Sequence, residues 1–202
     1  RDTDRSRGLG DVYKRQKYTY TASEIQPDML NADITKTTDS PSWGGLYLQY
    51  FEKFDQVQQQ KGILSVTKKL FIEKIGSDGK QELLPLGKEK LKTGDKVITR
   101  LTLSLKQDMD LLYLKGFRAA CFEPIGQLSG NQWKFGTVYY EESKDAVTNF
   151  FFNSLAKGTY VLEYPVWVNQ AGTYQDGIAT FQSMYAPEYT AYSEAGKITV
   201  TK

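Results

Sequence analysis

The amino-acid sequence predicts an all-β fold, with an antiparallel β-sandwich over residues 62–202. Apolar and polar residues alternate in several segments after residue 62, which is the period of a strand with one buried face. Turn signals containing glycine separate these segments at intervals of about ten residues, as in sandwich domains. The 202 residues include 14 Tyr, 10 Phe and 3 Trp, and aromatic residues favour strands over helices.

The first strand of the predicted sandwich follows Gly62. Lys68 interrupts its apolar face, and residues 77–80, with the sequence Ser-Asp-Gly-Lys, form a predicted hairpin turn because glycine tolerates positive φ. The apolar residues that share one face are Leu64, Val66, Leu70 and Ile72.

The clearest strand of the chain follows a second predicted turn at residues 92–95. Its inward face is predicted to carry Val97, Thr99, Leu101, Leu103 and Leu105. Residues 108–110 are predicted to end this strand before the next one begins. Further strands are predicted at residues 111–114, 136–141, 146–153, 159–168, 177–185 and 197–201.

Residues before the sandwich differ in character. Residues 1–16 are basic, rich in Gly, Arg and Asp, and have no period, so we interpret them as an adapter-derived segment or a disordered basic arm. Residues 17–61 are predicted to be the tail of a preceding domain or strands docked on the sandwich. Strands are expected at residues 18–21 and 46–51, followed by a Gln-rich connector at 54–61.

Composition excludes several functions. The chain has no His and a single Cys, so a Ser-His-Asp triad, a His-ligated metal, an internal disulfide and a Cys-x-x-Cys site are all excluded. No apolar run reaches the length of a membrane span. The 26 basic and 24 acidic residues become equal in number without residues 1–16, so no nucleic-acid partner is predicted.

Three short groups of residues are candidates for a reactive or metal-binding site. Cys121 cannot form a Cys-x-x-Gln thioester, because Pro124 occupies the glutamine position, and we interpret it as a buried apolar residue. Glu141, Glu142 and Asp145 lie too close in sequence to flank a sugar as a glycosidase pair, so a solvated turn is favoured. Asp108 and Asp110 lack the spacing of a calcium loop. We therefore expect no catalytic residues, no metal and no cofactor.

Two aromatic groups are candidates for contacts outside the core. Residues 150–152 are three consecutive phenylalanines, so one ring must face outward or pack beneath another element. Met184, Tyr185, Tyr189 and Tyr192 form the second group, for which core and domain interface are equally compatible.

An ordered series of motifs resembles one known family. The segments that carry it are residues 93–97, 108–114, 117–124, Trp133, 139–141, Asp145, 149–151, 155–160 and 177–188, with residues 42–51 upstream. The most specific part is the run Ser183-Met184-Tyr185-Ala186-Pro187. The series from residue 93 onward is similar to the C-terminal, MG10-type macroglobulin domain of bacterial α2-macroglobulin-like proteins, most closely those of Bacteroidota. Residues 42–51 resemble the segment that leaves the thioester-type helical domain in the same proteins. Cys121 departs from the pattern, since relatives usually carry a smaller residue there.

The resemblance implies a fibronectin-like sandwich that does no chemistry itself. It belongs to a long periplasmic or cell-envelope chain that traps attacking proteases, and it contacts a thioester-type helical domain and adjacent macroglobulin domains as a latch. No nucleic acid or small-molecule substrate is expected. The residues that match the family at the implied interface are Glu141, Asp145, Met184, Tyr185, Pro187 and Glu188.

One alternative remains open at this stage. The 27 aromatic residues of an all-β chain are also compatible with a free-standing carbohydrate-binding or adhesion sandwich on the cell surface. That function requires two or three exposed rings lying in one plane.

Overall fold

The computed structural model describes residues 17–37, 39–53, 56–87, 90–126, 129–134 and 136–202. The chain divides into two units, with the boundary between Gln49 and Tyr50. Among the described residues of the first unit, the one regular element is a short 3-10 helix, Pro27–Leu30, which begins with a proline as helices commonly do.

The strands expected at residues 18–21 and 46–51 are not formed. Leu46, Tyr47 and Phe51 have apolar side chains suited to a strand, but all three are exposed to solvent. A strand is stabilised by a hydrogen-bonded neighbour and a buried face, and these residues have neither in the described structure. Apolar composition alone was therefore an insufficient basis for this prediction.

The second unit contains fourteen strands in its described residues. Their bounds are β1 (Leu64–Ile75), β2 (Gln81–Pro85), β3 (Leu91–Lys92), β4 (Lys96–Leu105), β5 (Met109–Phe117), β6 (Phe122–Pro124), β7 (Gly130–Lys134), β8 (Thr137–Ser143), β9 (Val147–Leu155), β10 (Gly158–Val168), β11 (Gly172–Asp176), β12 (Ala179–Ser183), β13 (Thr190–Tyr192) and β14 (Gly196–Thr201).

Two large sheets enclose the core. The five-stranded sheet has the order β2-β1-β4-β10-β6, and the six-stranded sheet has the order β13-β12-β5-β9-β8-β7. All neighbouring strands in both sheets are antiparallel. A third sheet, β11-β14-β3, adds one parallel pair, β14 with β3. The predicted antiparallel sandwich is therefore confirmed, with one short parallel pairing in addition.

The inward faces follow the predicted alternation. In β4 the five predicted residues are all buried, and the turn before it is closed by the Asp95 amide donating to the Lys92 carbonyl over 3.1 Å. Gly94 in this turn has φ 91°, which is why glycine is required there. In β1 the predicted apolar residues are buried as well, and the Lys68 side chain lies inward with them at 2% exposure.

Several boundaries differ from the predictions. Residues 109 and 110 are not a break between strands but pair with Leu155 and Ser154, so β5 begins at Met109. The short strands β3, β6, β7, β11 and β13 were not predicted, because two to five residues carry too little alternation to be distinguished from loops. In the Gln-rich connector, Gln60 donates its amide to the Tyr192 carbonyl over 3.1 Å, which joins this segment to the sandwich.

No helix in the described part of the chain is both long and apolar enough to span a membrane.

Candidate functional site

The loop between β12 and β13 carries four of the residues implied by the resemblance. It is held by short-range hydrogen bonds: the Ser183 amide donates to the Tyr189 carbonyl (3.0 Å) and the Tyr189 amide to the Ala186 carbonyl (2.9 Å). The Thr190 hydroxyl donates to the Pro187 carbonyl over 2.6 Å. The backbone of this loop is therefore fixed by its own sequence.

The side chains of the same loop point to solvent. Tyr185 is 80% exposed and Met184 is 49% exposed, while Pro187 and Glu188 are also exposed. Because the backbone is already ordered, a partner that covers these side chains restricts their rotamers but does not have to order the loop as well. The loop has the physical properties of a recognition surface.

Leu111 extends this exposed apolar surface onto β5. Its carbonyl accepts a 2.9 Å hydrogen bond from the Met184 amide, and its side chain is 41% exposed. Its φ of 53° lies in the left-handed region, the one such conformation at a non-glycine position among the described residues, and its pairing with β9 is interrupted there. A leucine held in this conformation costs about 1–2 kcal/mol, a strain typical of functional positions.

Glu141 and Asp145 lie at a different place in the sandwich. Ser183 at the end of β12 pairs with Leu112 near the start of β5, whereas Val147 at the start of β9 pairs with Phe117 at the end of β5. Asp145 lies in the turn before Val147, and therefore at the opposite end of the six-stranded sheet from Met184 and Tyr185. The structure brings together the four residues of the 184–188 loop but does not bring Glu141 and Asp145 to them.

Glu141 is directed toward the core side of β8. It follows Tyr139 by two residues on that strand, and the Tyr139 ring is buried against Phe150 at 5.6 Å between centroids. Burial raises the pKa of Glu141 above its ordinary value, and the Lys134 charge partly opposes that rise. Asp145, by contrast, is exposed in its turn.

Cys121 is a buried, free cysteine in the core of the sandwich. Burial raises the pKa of the Cys121 thiol to about 11, so the thiol is neutral and a poor nucleophile. No group of three or more Cys, Asp or Glu side chains that could hold a metal ion occurs within the described ranges.

The three consecutive phenylalanines divide between the two faces of the six-stranded sheet. Phe150 and Phe152 are buried, and Phe151 lies on the outer face, stacked on Tyr113 with 4.7 Å between centroids and 17° between planes. Tyr140 lies 6.2 Å away on the other side of Phe151. Rings stacked on each other cover their own faces, so this row is not the flat platform that the carbohydrate-binding alternative requires.

Leu111 was not among the residues predicted for this surface. One signal was present: Leu111 and Leu112 are adjacent in a strand, so both cannot face the core. Leu112 is fully buried, which leaves Leu111 on the outer side.

Comparisons with known proteins give one family match and several solved structures of similar fold. Residues 64–188 match the bacterial alpha-2-macroglobulin MG10 domain. The Y1175G mutant of Salmonella alpha-2-macroglobulin is similar in structure, with TM-score 0.56 and 19% identity over 72% of this chain and 10% of that chain. Escherichia coli alpha-2-macroglobulin activated by porcine elastase gives TM-score 0.56 and 17% identity over 72% of this chain and 14% of that one.

A shorter solved chain gives the same result. Native Escherichia coli alpha-2-macroglobulin from domain MG7 to the C-terminus has TM-score 0.54 and 16% identity, over 71% of this chain and 24% of that one. The present chain thus spans between 10% and 24% of these solved chains. No curated protein gave a significant match. Because the family match covers more than half of the sequence, this chain belongs to the bacterial alpha-2-macroglobulin MG10 domain family.

Proposed function

We propose that this chain is a non-catalytic, latch-like module of a bacterial α2-macroglobulin-like protease inhibitor. The observation that supports this most is the 184–188 loop, where Met184 and Tyr185 are exposed on a hydrogen-bonded backbone. Together with Leu111 they form the latch surface of the proposal.

The latch surface fits a contact that must hold and then release. Intrachain domain interfaces are moderate in area and mixed in polarity, and here two apolar side chains and one tyrosine lie beside Pro187 and Glu188. A surface of this size cannot bind as strongly as an obligate interface. A modest change in the neighbouring domain is then enough to open it.

The partners in this proposal come from the family. The latch surface contacts a thioester-type helical domain of the same parent chain, and adjacent macroglobulin domains flank the sandwich, with residues 17–61 as the tail of the preceding one. The intact protein traps proteases in the periplasm or cell envelope. The assignment of the parent protein to the Bacteroidota type is also part of this proposal. The solved structures described above come from Salmonella and Escherichia coli.

The test is Tyr185→Ala in the full-length protein. We expect faster spontaneous activation without any protease, because one face of the latch contact is lost. In the 202-residue chain the same change should alter the free energy of unfolding by no more than about 0.5 kcal/mol, since the side chain is exposed. The readouts are the rate of conformational conversion on native gels and chemical denaturation of the chain.

Trp133→Ala is the matched control. Trp133 is 77% exposed on β7, in the six-stranded sheet but outside the latch surface, so its loss should leave spontaneous activation unchanged. Equal activation rates in wild type and Tyr185→Ala would contradict the proposed role of the loop.

A further inference from the structure

A cluster of polar side chains is buried where β5 ends, at the far end of the sandwich from the latch surface. We call it the Arg118 cluster, and its members are Lys68, Arg118, Thr148, Tyr164 and Asp176. Arg118 is 7% exposed, Tyr164 is 6% exposed and the Lys68 side chain is 2% exposed. Charged groups are rarely buried this deeply without partners.

Lys68 has a full set of partners in this cluster. Its ammonium group donates to the Phe117 carbonyl over 2.7 Å, to the Gly177 carbonyl over 2.6 Å and to the Asp176 carboxylate. These are the three donors that a lysine ammonium possesses. Asp176 is thus already engaged by Lys68.

Arg118 and Tyr164 are incompletely paired. Arg118 Nη1 donates to the Thr148 hydroxyl over 2.6 Å, but Arg118 Nε, Arg118 Nη2 and the Tyr164 hydroxyl have no hydrogen-bond partner within the described structure. Thr99 lies near Tyr164 and acts to lower the pKa of its hydroxyl, but the two groups lack hydrogen-bonding geometry. Among buried side-chain nitrogen and oxygen atoms of the described residues, these three alone lack a partner.

The three unpaired atoms lie around the Gly116–Thr148 pair. A Cβ built on Gly116 would lie 2.8 Å from the Tyr164 hydroxyl oxygen, so that hydroxyl sits directly above Gly116. Gly116 pairs across the sheet with Thr148, the residue that accepts the Arg118 hydrogen bond. Burial raises the pKa of Tyr164, so its hydroxyl stays protonated and is able to donate.

The charges of the cluster are unbalanced. Lys68 and Arg118 contribute two positive charges, and Asp176 contributes one negative charge. An excess buried cation with unused N–H groups is strongly unfavourable in a low-dielectric environment. A single anionic acceptor would balance the charge and take up the unused donors together.

We propose that Arg118 Nε and Nη2, with the Tyr164 hydroxyl beside them, form a binding site for one carboxylate group. The Nε–Nη2 edge of a guanidinium presents two parallel N–H bonds that match the two oxygens of a carboxylate. A carboxylate is therefore a better fit than a spherical anion.

The carboxylate has two available sources. Asp145 is the nearer one, because its turn is tied to Arg118 by the 2.9 Å hydrogen bond from the Arg118 amide to the Ala146 carbonyl. The Asp145 charge also acts on the Arg118 guanidinium, although the Asp145 side chain is directed to solvent in this structure. The second source is a carboxylate from outside the chain, for which formate is the probe.

The experiment measures Tm of the 202-residue chain with sodium formate and with sodium chloride at equal ionic strength. If Asp145 fills the site, Asp145→Asn lowers Tm by about 3 to 10 °C, and this loss disappears in an Arg118→Lys background. If an external carboxylate fills it, formate raises Tm of the wild type more than chloride does, and Arg118→Lys abolishes that difference. Lysine keeps the charge of residue 118 but lacks the paired N–H groups.

Controls keep the result interpretable. Glu188→Gln removes a carboxylate at the other end of the sheet and should leave Tm and the formate response unchanged. If Arg118→Lys fails to fold, both comparisons are made with Tyr164→Phe, where each effect should become smaller. The proposal is overturned if neither the Asp145→Asn loss nor a formate response depends on Arg118 or Tyr164.

Discussion

The two ends of the six-stranded sheet differ in which side chains they expose and which they bury. At the latch surface, the backbone of residues 183–190 is hydrogen-bonded while Met184 and Tyr185 remain uncovered. At the Arg118 cluster, polar and charged side chains are almost fully covered, yet three of their atoms have no hydrogen-bond partner among the described residues. One end offers apolar area to something outside the sandwich, and the other end encloses charge.

This difference separates stability from recognition. Exposed side chains such as Tyr185 contribute little to the free energy of unfolding. The residues of the latch surface can therefore be suited to a binding partner with little effect on stability. Buried charges contribute strongly, because removing one leaves its partner unpaired in the interior. Substitutions at the two ends should therefore move different measurements.

The largest expected effect is at Lys68. Lys68→Met keeps most of the length of the side chain but leaves Asp176 and two carbonyl groups without their donor. We expect the free energy of unfolding to fall by about 3–5 kcal/mol, measured by urea denaturation at neutral pH. The double variant with Asp176→Asn should recover a large part of this loss, and equal instability of the single and double variants would contradict the ion-pair explanation.

A smaller effect is expected at Gly116. Gly116→Ala places a methyl group 2.8 Å from the Tyr164 hydroxyl, and overpacking of this kind costs about 1–3 kcal/mol. The cost should shrink in a Tyr164→Phe background, since the oxygen is the nearest atom. Thermal unfolding of the four chains in this cycle checks the prediction, which fails if the two changes are simply additive.

The smallest of these effects is a pH dependence at Glu141. Because burial raises its pKa in the folded state, the folded chain holds the Glu141 proton more tightly than the unfolded chain does. That stabilising contribution is present at low pH and is lost as pH rises through the folded-state pKa. Glu141→Gln should thus gain stability relative to wild type between pH 4 and pH 7, by a small amount because the residue is only partly buried.

Tm measured across that pH range decides the point. A difference between Glu141→Gln and wild type that stays constant with pH would show that Glu141 has an ordinary pKa. Glu188→Gln, at an exposed position, provides the comparison for a carboxylate without such burial.

The sequence was most informative where alternation was long. The ten residues of β4 carry five inward positions. The opposite assignment of the two faces would have buried Arg100 and exposed four apolar side chains. In β1, Lys68 was interpreted as an interruption of the pattern, whereas its side chain follows the pattern inward. The reason is its partner Asp176, which lies 108 residues further along the chain and cannot be found by local periodicity.

The candidate site was predictable in part. Met184 and Tyr185 came from the resemblance, and their exposure agrees with a surface role. The separation between Asp145 and that loop depends on the register of β5, β9 and β12, which no local pattern encodes. Leu111 was missed because a left-handed conformation is unusual for leucine and was not expected there.

The third sheet places a constraint on the order of folding during translation. β14 lies between β11 and β3, and the Thr201 hydroxyl donates to the Leu91 carbonyl across 110 residues of sequence. β11 and β14 are close enough in sequence to pair soon after both leave the ribosome, but β3 must wait unpaired while everything between is synthesised. Its length of two residues limits the edge that a nascent chain exposes to mispairing in that interval.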